Sequence, residues 1–369
     1  MSQSENSQSC ENRPAQNPVI GLSKKARQKL RTRRYDEAIQ LFRRGLDIEP
    51  ENPYLLSGMG DACRESGNFH EAERCYKALL EVDGKNLFAL RGLGDVYKKL
   101  NRHQDAIQLW GKYLTLRSQD KHVMTRIADS FKVLQQFEQA EKTYRQILTF
   151  APRDRFALTG LGDLLHRLGK DVEAIETYER VLSFDENELH ILTIIGKLCW
   201  RISDFERSER YFRRALAVDP KNPYALYGLG NCFRWSKDYE KALEIWQEIL
   251  TFSEGTQALH TRMGDAYINI GKSDQAEACY QKALTFDTDI YSTAGLVCLY
   301  SERGSWDEAA KYFSLLLDCD NDVIHRFELL CKRFAHFKQE ETMIDLFTNL
   351  LNADEQNEQV LTLINEQLN

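Results

Sequence analysis

Residues 91–110 read RGLGDVYKKLNRHQDAIQLW, and the phrase recurs. Near-copies stand at 57–76 (SGMGDACRESGNFHEAERCY), 159–178 (TGLGDLLHRLGKDVEAIETY) and 227–246 (YGLGNCFRWSKDYEKALEIW). Gly60, Gly94, Gly162, Gly196, Gly230 and Gly264 are spaced by 34 residues or a multiple of it, and Ala128 fills the gap. Ala38, Ala72, Ala106, Ala140, Ala174, Ala242 and Ala276 keep the same step, with Ser208 standing in once. An aromatic follows each small residue by four: Phe42, Tyr76, Trp110, Tyr144, Tyr178, Phe212, Trp246 and Tyr280. A period of this length marks a stack of supersecondary units.

Numbering each unit so that the glycine is position 8 makes the pattern physical. Positions 4, 7, 8 and 11 fall on one face of a first helix at about 100° per residue; in the third unit these are Leu90, Leu93, Gly94 and Tyr97. Small residues at 8 and 20 let two helices approach closely, and large residues at 4, 7, 11 and 24 fill around them. One such hairpin cannot bury its apolar face alone, so neighbours must stack. The units run 19–52, 53–86, 87–120, 121–154, 155–188, 189–222, 223–256, 257–289, 290–323 and 324–357.

The pattern resembles the tetratricopeptide repeat, in which a Leu-Gly pair and an aromatic are followed by an alanine, an aromatic and often a proline. Pro50, Pro152 and Pro220 hold that last position. The final two units depart at position 8, where Val297 and Cys331 stand, although Trp306, Ala309 and Phe313, then Met343 and Phe347, keep their second helices legible. The resemblance implies an all-α fold, an α-solenoid wound as a right-handed superhelix of helix-turn-helix repeats. Residues 358–369 put Val360, Leu361, Ile364 and Leu368 on one side, as a capping helix would. Residues 1–18 are polar, contain Pro14 and Pro18, and are expected to be disordered.

Positions 2, 5, 9, 12 and 13 lie opposite the packing face of the first helix, and in tetratricopeptide proteins that face lines the groove in which extended peptides bind. Position 9 carries Asp61, Asp95, Asp129, Asp163 and Asp265, with Lys197 and Asn231 interrupting the row. Position 12 carries Arg64, Lys98 and Lys132. The acids therefore read either as i,i+3 partners of those bases or as a charged ladder that orients a bound segment. Where the row breaks, Trp200, Tyr224, Tyr227 and Trp235 gather beside Arg201 and Arg234. Such residues often carry binding energy at interfaces, while the competing reading has both tryptophans packing over the adjoining turns. Two subtypes implied by the resemblance do not fit. The Lys at 5 and Asn at 9 that chaperone-binding carboxylate clamps repeat over adjacent units are not found, since position 5 holds Ser23, Ser57, Arg91, Thr125, Thr159 and Thr193 and position 9 is mostly Asp. Gly58, Gly92, Gly160 and Gly228 occupy the place of a sugar-transferase asparagine ladder.

The rest of the chain narrows the chemistry. His122, His190 and His325 share position 2 but lie repeats apart, so no metal is expected, and Cys63 and Cys199 fall at core positions. GLGDVYK lacks the strand that a nucleotide loop needs before it. No stretch is left over for a catalytic domain, and neither a cofactor nor a small-molecule substrate is expected. Nine cysteines without a paired motif, the absence of a secretion signal in the opening stretch and no apolar run near membrane-spanning length fit a cytoplasmic protein. A net charge of −7 disfavours broad nucleic-acid binding. One basic strip stands apart: Lys24, Lys25, Arg27, Lys29, Arg31, Arg33 and Arg34, read either as a solvated terminal helix or as a dock for an acidic protein, anionic lipid or RNA.

These observations predict a non-enzymatic scaffold or adaptor that binds an extended or helical segment of another protein in its groove. The alternatives are a nucleic-acid or anionic-surface binder working through the basic first repeat, and a regulatory subunit of an enzyme complex. The sequence leaves the oligomeric state open.

Overall fold

The computed structural model describes residues 18–318 and 323–353, and all regular structure among them is helical. The chain divides into two compact units, one ending at Phe184 and one starting at Asp185. The first unit holds α1 (Pro18–Arg31), α2 (Tyr35–Ile48), α3 (Pro53–Glu65), α4 (Phe69–Val82) and α5 (Leu87–Lys99). It continues with α6 (His103–Leu116), α7 (Lys121–Val133), α8 (Phe137–Phe150), α9 (Arg155–Arg167) and α10 (Asp171–Leu182). The second holds α11 (Leu189–Arg201), α12 (Phe205–Val218), α13 (Pro223–Trp235), α14 (Tyr239–Leu250) and α15 (Gln257–Asn269). It ends with α16 (Ser273–Leu284), α17 (Ile290–Glu302), α18 (Trp306–Asp318), α19 (Val323–His336) and α20 (Glu340–Ala353). Pro18, read from sequence as part of the tail, opens α1. The remainder of the tail and the helix expected at 358–369 lie outside the described residues.

Local chemistry explains the boundaries. The last residue of a repeat caps the next first helix: Asn52, Asn86, Asp120, Asp154 and Asn222 each accept from backbone N–H groups in its first turn. Each first helix then stops through one residue in the left-handed region at position 15. Glycine supplies it at Gly67, Gly169, Gly271 and Gly304, but Arg33, Asn101, Gln135, Ser203, Lys237 and Lys338 adopt it as well. At Gly67 the Asn68 N–H reaches back to the Cys63 carbonyl at 2.8 Å, closing the helix end.

In each unit the core is built on buried rings. Phe42, Tyr76, Trp110, Tyr144, Tyr178 and Trp246 at position 24 are fully buried. A Cβ on Gly94 would lie 2.4 Å from the Trp110 ring, and one on Gly60 2.8 Å from Tyr76. The same ring meets the next repeat at position 6, where a Cβ on Gly58 would lie 2.4 Å from Phe42 and one on Gly92 2.5 Å from Tyr76. Position 6 thereby sets how closely successive first helices approach. From α1 to α17, close first-helix contacts within a unit join α1 to α3, α3 to α5, α7 to α9, α11 to α13 and α15 to α17. Every one of those junctions has glycine at position 6, whereas α5–α7 and α13–α15 carry Arg126 and Arg262 there.

Candidate functional site: the face of the first helices

The aspartates of position 9 turn out to have a partner that the sequence reading did not weigh. The hydroxyl of Tyr76 donates to Asp61 at 2.7 Å, Tyr144 to Asp129 at 2.6 Å, Tyr178 to Asp163 at 2.5 Å and Tyr280 to Asp265 at 2.7 Å. Each bond joins position 24 to position 9 of one repeat. A phenol drawn into the core keeps its hydroxyl only if an acceptor goes with it. Burial, with the neighbouring carboxylate, pushes the Tyr76, Tyr144 and Tyr178 hydroxyls well above the ordinary tyrosine range.

The exceptions obey the same logic. Where position 24 is phenylalanine (Phe42, Phe212, Phe313, Phe347), position 9 is Arg27, Lys197, Cys298 or Lys332. Where it is tryptophan, the indole donates to a position-5 carbonyl instead: Trp110 to Arg91 at 3.4 Å and Trp246 to Tyr227 at 3.3 Å. That releases Asp95, which binds Arg64 at 3.1 Å and Arg126 at 2.9 Å from the flanking repeats. Burial raises the Asp95 carboxyl despite those guanidiniums. Of the expected i,i+3 pairs, Asp61–Arg64 is 3.6 Å and Asp129–Lys132 3.4 Å, while Lys98 approaches Asp129 of the next repeat at 4.0 Å.

The second unit is different in charge. A hollow of 630 Å³ opens on α11, α13 and α15 and is lined by His190, Thr193, Ile194, Lys197, Trp200, Phe212, Tyr224, Tyr227, Gly228, Asn231 and Arg262. Five of the sequence-selected residues (Lys197, Trp200, Tyr224, Tyr227 and Asn231) meet there. Tyr224 is 78% exposed. Arg262 donates to the Asn231 side chain and lies over the Tyr227 ring at 5.2 Å. Arg234 and Asp265 line a smaller hollow of 260 Å³ with Lys332, Arg333 and Phe337. Arg333 bonds both Asp265 and the Tyr280 hydroxyl, the latter at 2.8 Å.

Trp235 does not enter either hollow. It stacks on Phe205 at 4.2 Å, with Trp200 edge-on at 6.4 Å, and remains 58% exposed. Trp200 therefore both packs over the turn and lines the larger hollow. Ile194, Phe212 and Arg262 were missed from sequence; Arg262 was signalled by its departure from glycine at position 6.

In the basic strip, Lys29 pairs with Glu37 at 2.6 Å and Arg34 approaches the same carboxylate at 3.5 Å. Arg27 lies over the Tyr54 ring at 5.9 Å. Lys24, Lys25, Arg31 and Arg33 are exposed, the last at the left-handed turn.

Among the described residues no cluster of His, Cys, Asp or Glu is placed to hold a metal ion, and no helix is long and apolar enough to cross a membrane. Cys63 and Cys199 are buried, and burial pushes the Cys63 thiol up to about 11.

Known proteins complete the picture. Nothing among the curated proteins matches this chain. Among solved structures, the MamA protein is 23% identical over 45% of this chain and 90% of its own, with a TM-score of 0.43. YrrB, described as a TPR protein with an unusual peptide-binding site, is 18% identical over 50% of this chain and 95% of its own, at 0.43. PilF of Pseudomonas aeruginosa is 16% identical over 56% of this chain and 94% of its own, at 0.46. Profiles described as tetratricopeptide repeat match residues 29–93, 125–188, 195–255 and 258–290. With that match spread over both units, on top of paired helices at a 34-residue step, the chain belongs to the tetratricopeptide repeat family.

Proposed function

We propose that this chain is a non-enzymatic adaptor that holds a segment of a protein partner against the face of its first helices, with the hollow on α11, α13 and α15 as the anchor. The ten repeats over 19–357, closed by 358–369, are the scaffold in this reading, and its buried thiols suit a reducing cytoplasm. The observation that carries it is the hollow itself: 630 Å³ walled by Trp200, Tyr224 and Tyr227, with Tyr224 exposed rather than sealed into the core. Concave sites lined by aromatics with a few convergent polar groups are where ligand segments settle, and exposed Tyr and Trp are the usual anchors of binding energy. The position-9 aspartates mostly serve their own tyrosines, so the ladder is a secondary contributor to recognition.

Photo-crosslinking tests the reading. A benzophenone side chain in place of Tyr224 should trap a discrete protein in native lysate, and the same group in place of Glu240 on α14 should not. Failure at Tyr224, or equal capture at both places, overturns it. The exposed cations Lys24, Lys25 and Arg31 favour a second reading, binding of an anionic polymer through α1; capture that nuclease abolishes and salt steeply weakens would support it.

A further inference from the structure

Resting on that reading, we infer that the hollow on α11, α13 and α15 takes an acidic partner segment, an extended stretch in which a bulky apolar side chain is flanked by carboxylates. The ring or branched chain seats among Ile194, Trp200, Tyr224 and Tyr227, and the carboxylates face Lys197 and Arg262.

The charge argument begins at position 9. In four repeats a tyrosine at position 24 requires the acid. In the sixth repeat Phe212 has no hydroxyl to satisfy, and the site is free to carry Lys197, which is exposed and has no carboxylate partner among the described residues. Nothing among the described residues uses this ammonium. Among the described residues Arg262 is engaged only by the neutral Asn231 amide and the Tyr227 ring, which leave its charge uncompensated. Among the described residues no carboxylate lines the hollow.

The neighbouring hollow extends the same sign. Arg234 has its Nε buried without a hydrogen-bond partner, and burial together with the nearby Arg262 holds its guanidinium below the usual arginine range. The one acid there, Asp265, is already bound by Tyr280 and Arg333, and Lys332 pairs with Glu328 at 3.1 Å. A segment bringing its own carboxylates relieves this excess; a basic one adds to it. Nucleic acid also pairs stacking rings with cations, but it tracks a continuous positive path, and here two cations sit in a mostly apolar hollow on a chain of net charge −7.

The test is selection of a random peptide library displayed on phage against the immobilised full chain, with the enriched peptides then measured by fluorescence anisotropy. Enriched sequences should combine Phe, Trp or Leu with Asp or Glu. Their affinity should fall roughly tenfold or more for Lys197→Glu, a reversal of charge at the site, and by a similar factor for Tyr224→Ala. Tyr54→Ala, at the same position of the second repeat, should leave it unchanged, and equal melting of the three variants excludes misfolding. Enrichment of basic or neutral sequences, no enrichment, or displacement of the peptides by labelled oligo(dT) overturns the inference. If crosslinking at Tyr224 still captures a protein in that event, the adaptor reading stands and only the acidic preference falls.

Discussion

Asp129 and Tyr144 state the residue-scale rule most simply: a fully buried phenol bonded at 2.6 Å to a half-exposed acid. Their removal is asymmetric. Tyr144→Phe leaves an aspartate that water and Lys132 can still solvate, and should cost about 1 kcal/mol of stability. Asp129→Lys strands a buried hydroxyl and should cost about 2–3 kcal/mol. The double variant reproduces the Lys197 and Phe212 pair of the sixth repeat, so it should be more stable than Asp129→Lys alone. Urea midpoints of the three variants check this, and simple addition of the two single losses would refute the coupling. The row of acids was legible in the sequence, but its purpose was sought among bases on the same helix and in a partner. The decisive signal was the co-occurrence of Asp at 9 with Tyr at 24, fifteen residues apart, which only tertiary packing brings together.

At the scale of the helix pair, glycine has opposite meanings at neighbouring places. In α5, a Cβ on Gly92 would sit 2.5 Å from the Tyr76 ring, which is closed in from all sides, so Gly92→Ala should destabilise by about 1–3 kcal/mol through overpacking. In α6, Gly111 has open space around it, and Gly111→Ala should stabilise by about 0.5–1 kcal/mol through helix propensity alone. Thermal melts of the two variants should move in opposite directions; a shared direction would show that ring packing does not govern position 6. The paired helices were legible because the 34-residue step carries both the glycine and the alanine at the helix crossing. The variation between junctions was less so. Arg126 and Arg262 stand at position 6 after Trp110 and Trp246, and the consequence, an arginine reaching back to Asp95 or Asn231, requires knowing that the larger ring keeps the next helix at a distance.

On the scale of the whole molecule, the repeat step runs from Gly162 to Gly196 without a mark, although the chain divides into compact units between them. Sequence period reports the local hairpin, which is the same on both sides, and carries no signal of the division. What both units share is a set of tyrosines held protonated. Tyr76, Tyr144 and Tyr178 in the first and Tyr280 in the second have hydroxyls raised above the ordinary value, chiefly by burial. Because the native pKa lies above the unfolded value of about 10, their stabilisation is whole below that pH. It drains away as pH rises from there toward the native pKa, since only the unfolded chain can then release these protons. Each such tyrosine steepens the loss by up to about 1.4 kcal/mol per pH unit. Denaturant midpoints should therefore begin to fall above about pH 8.5, where thiols such as those of Cys63 and Cys279 ionise in the unfolded chain while burial raises them in the native one. They should fall more sharply above about pH 10, where the tyrosines add their share. Tyr76→Phe, Tyr144→Phe and Tyr178→Phe combined should lower stability at neutral pH yet flatten the alkaline fall of the first unit. An unchanged slope in the triple variant would mean that other groups govern the loss.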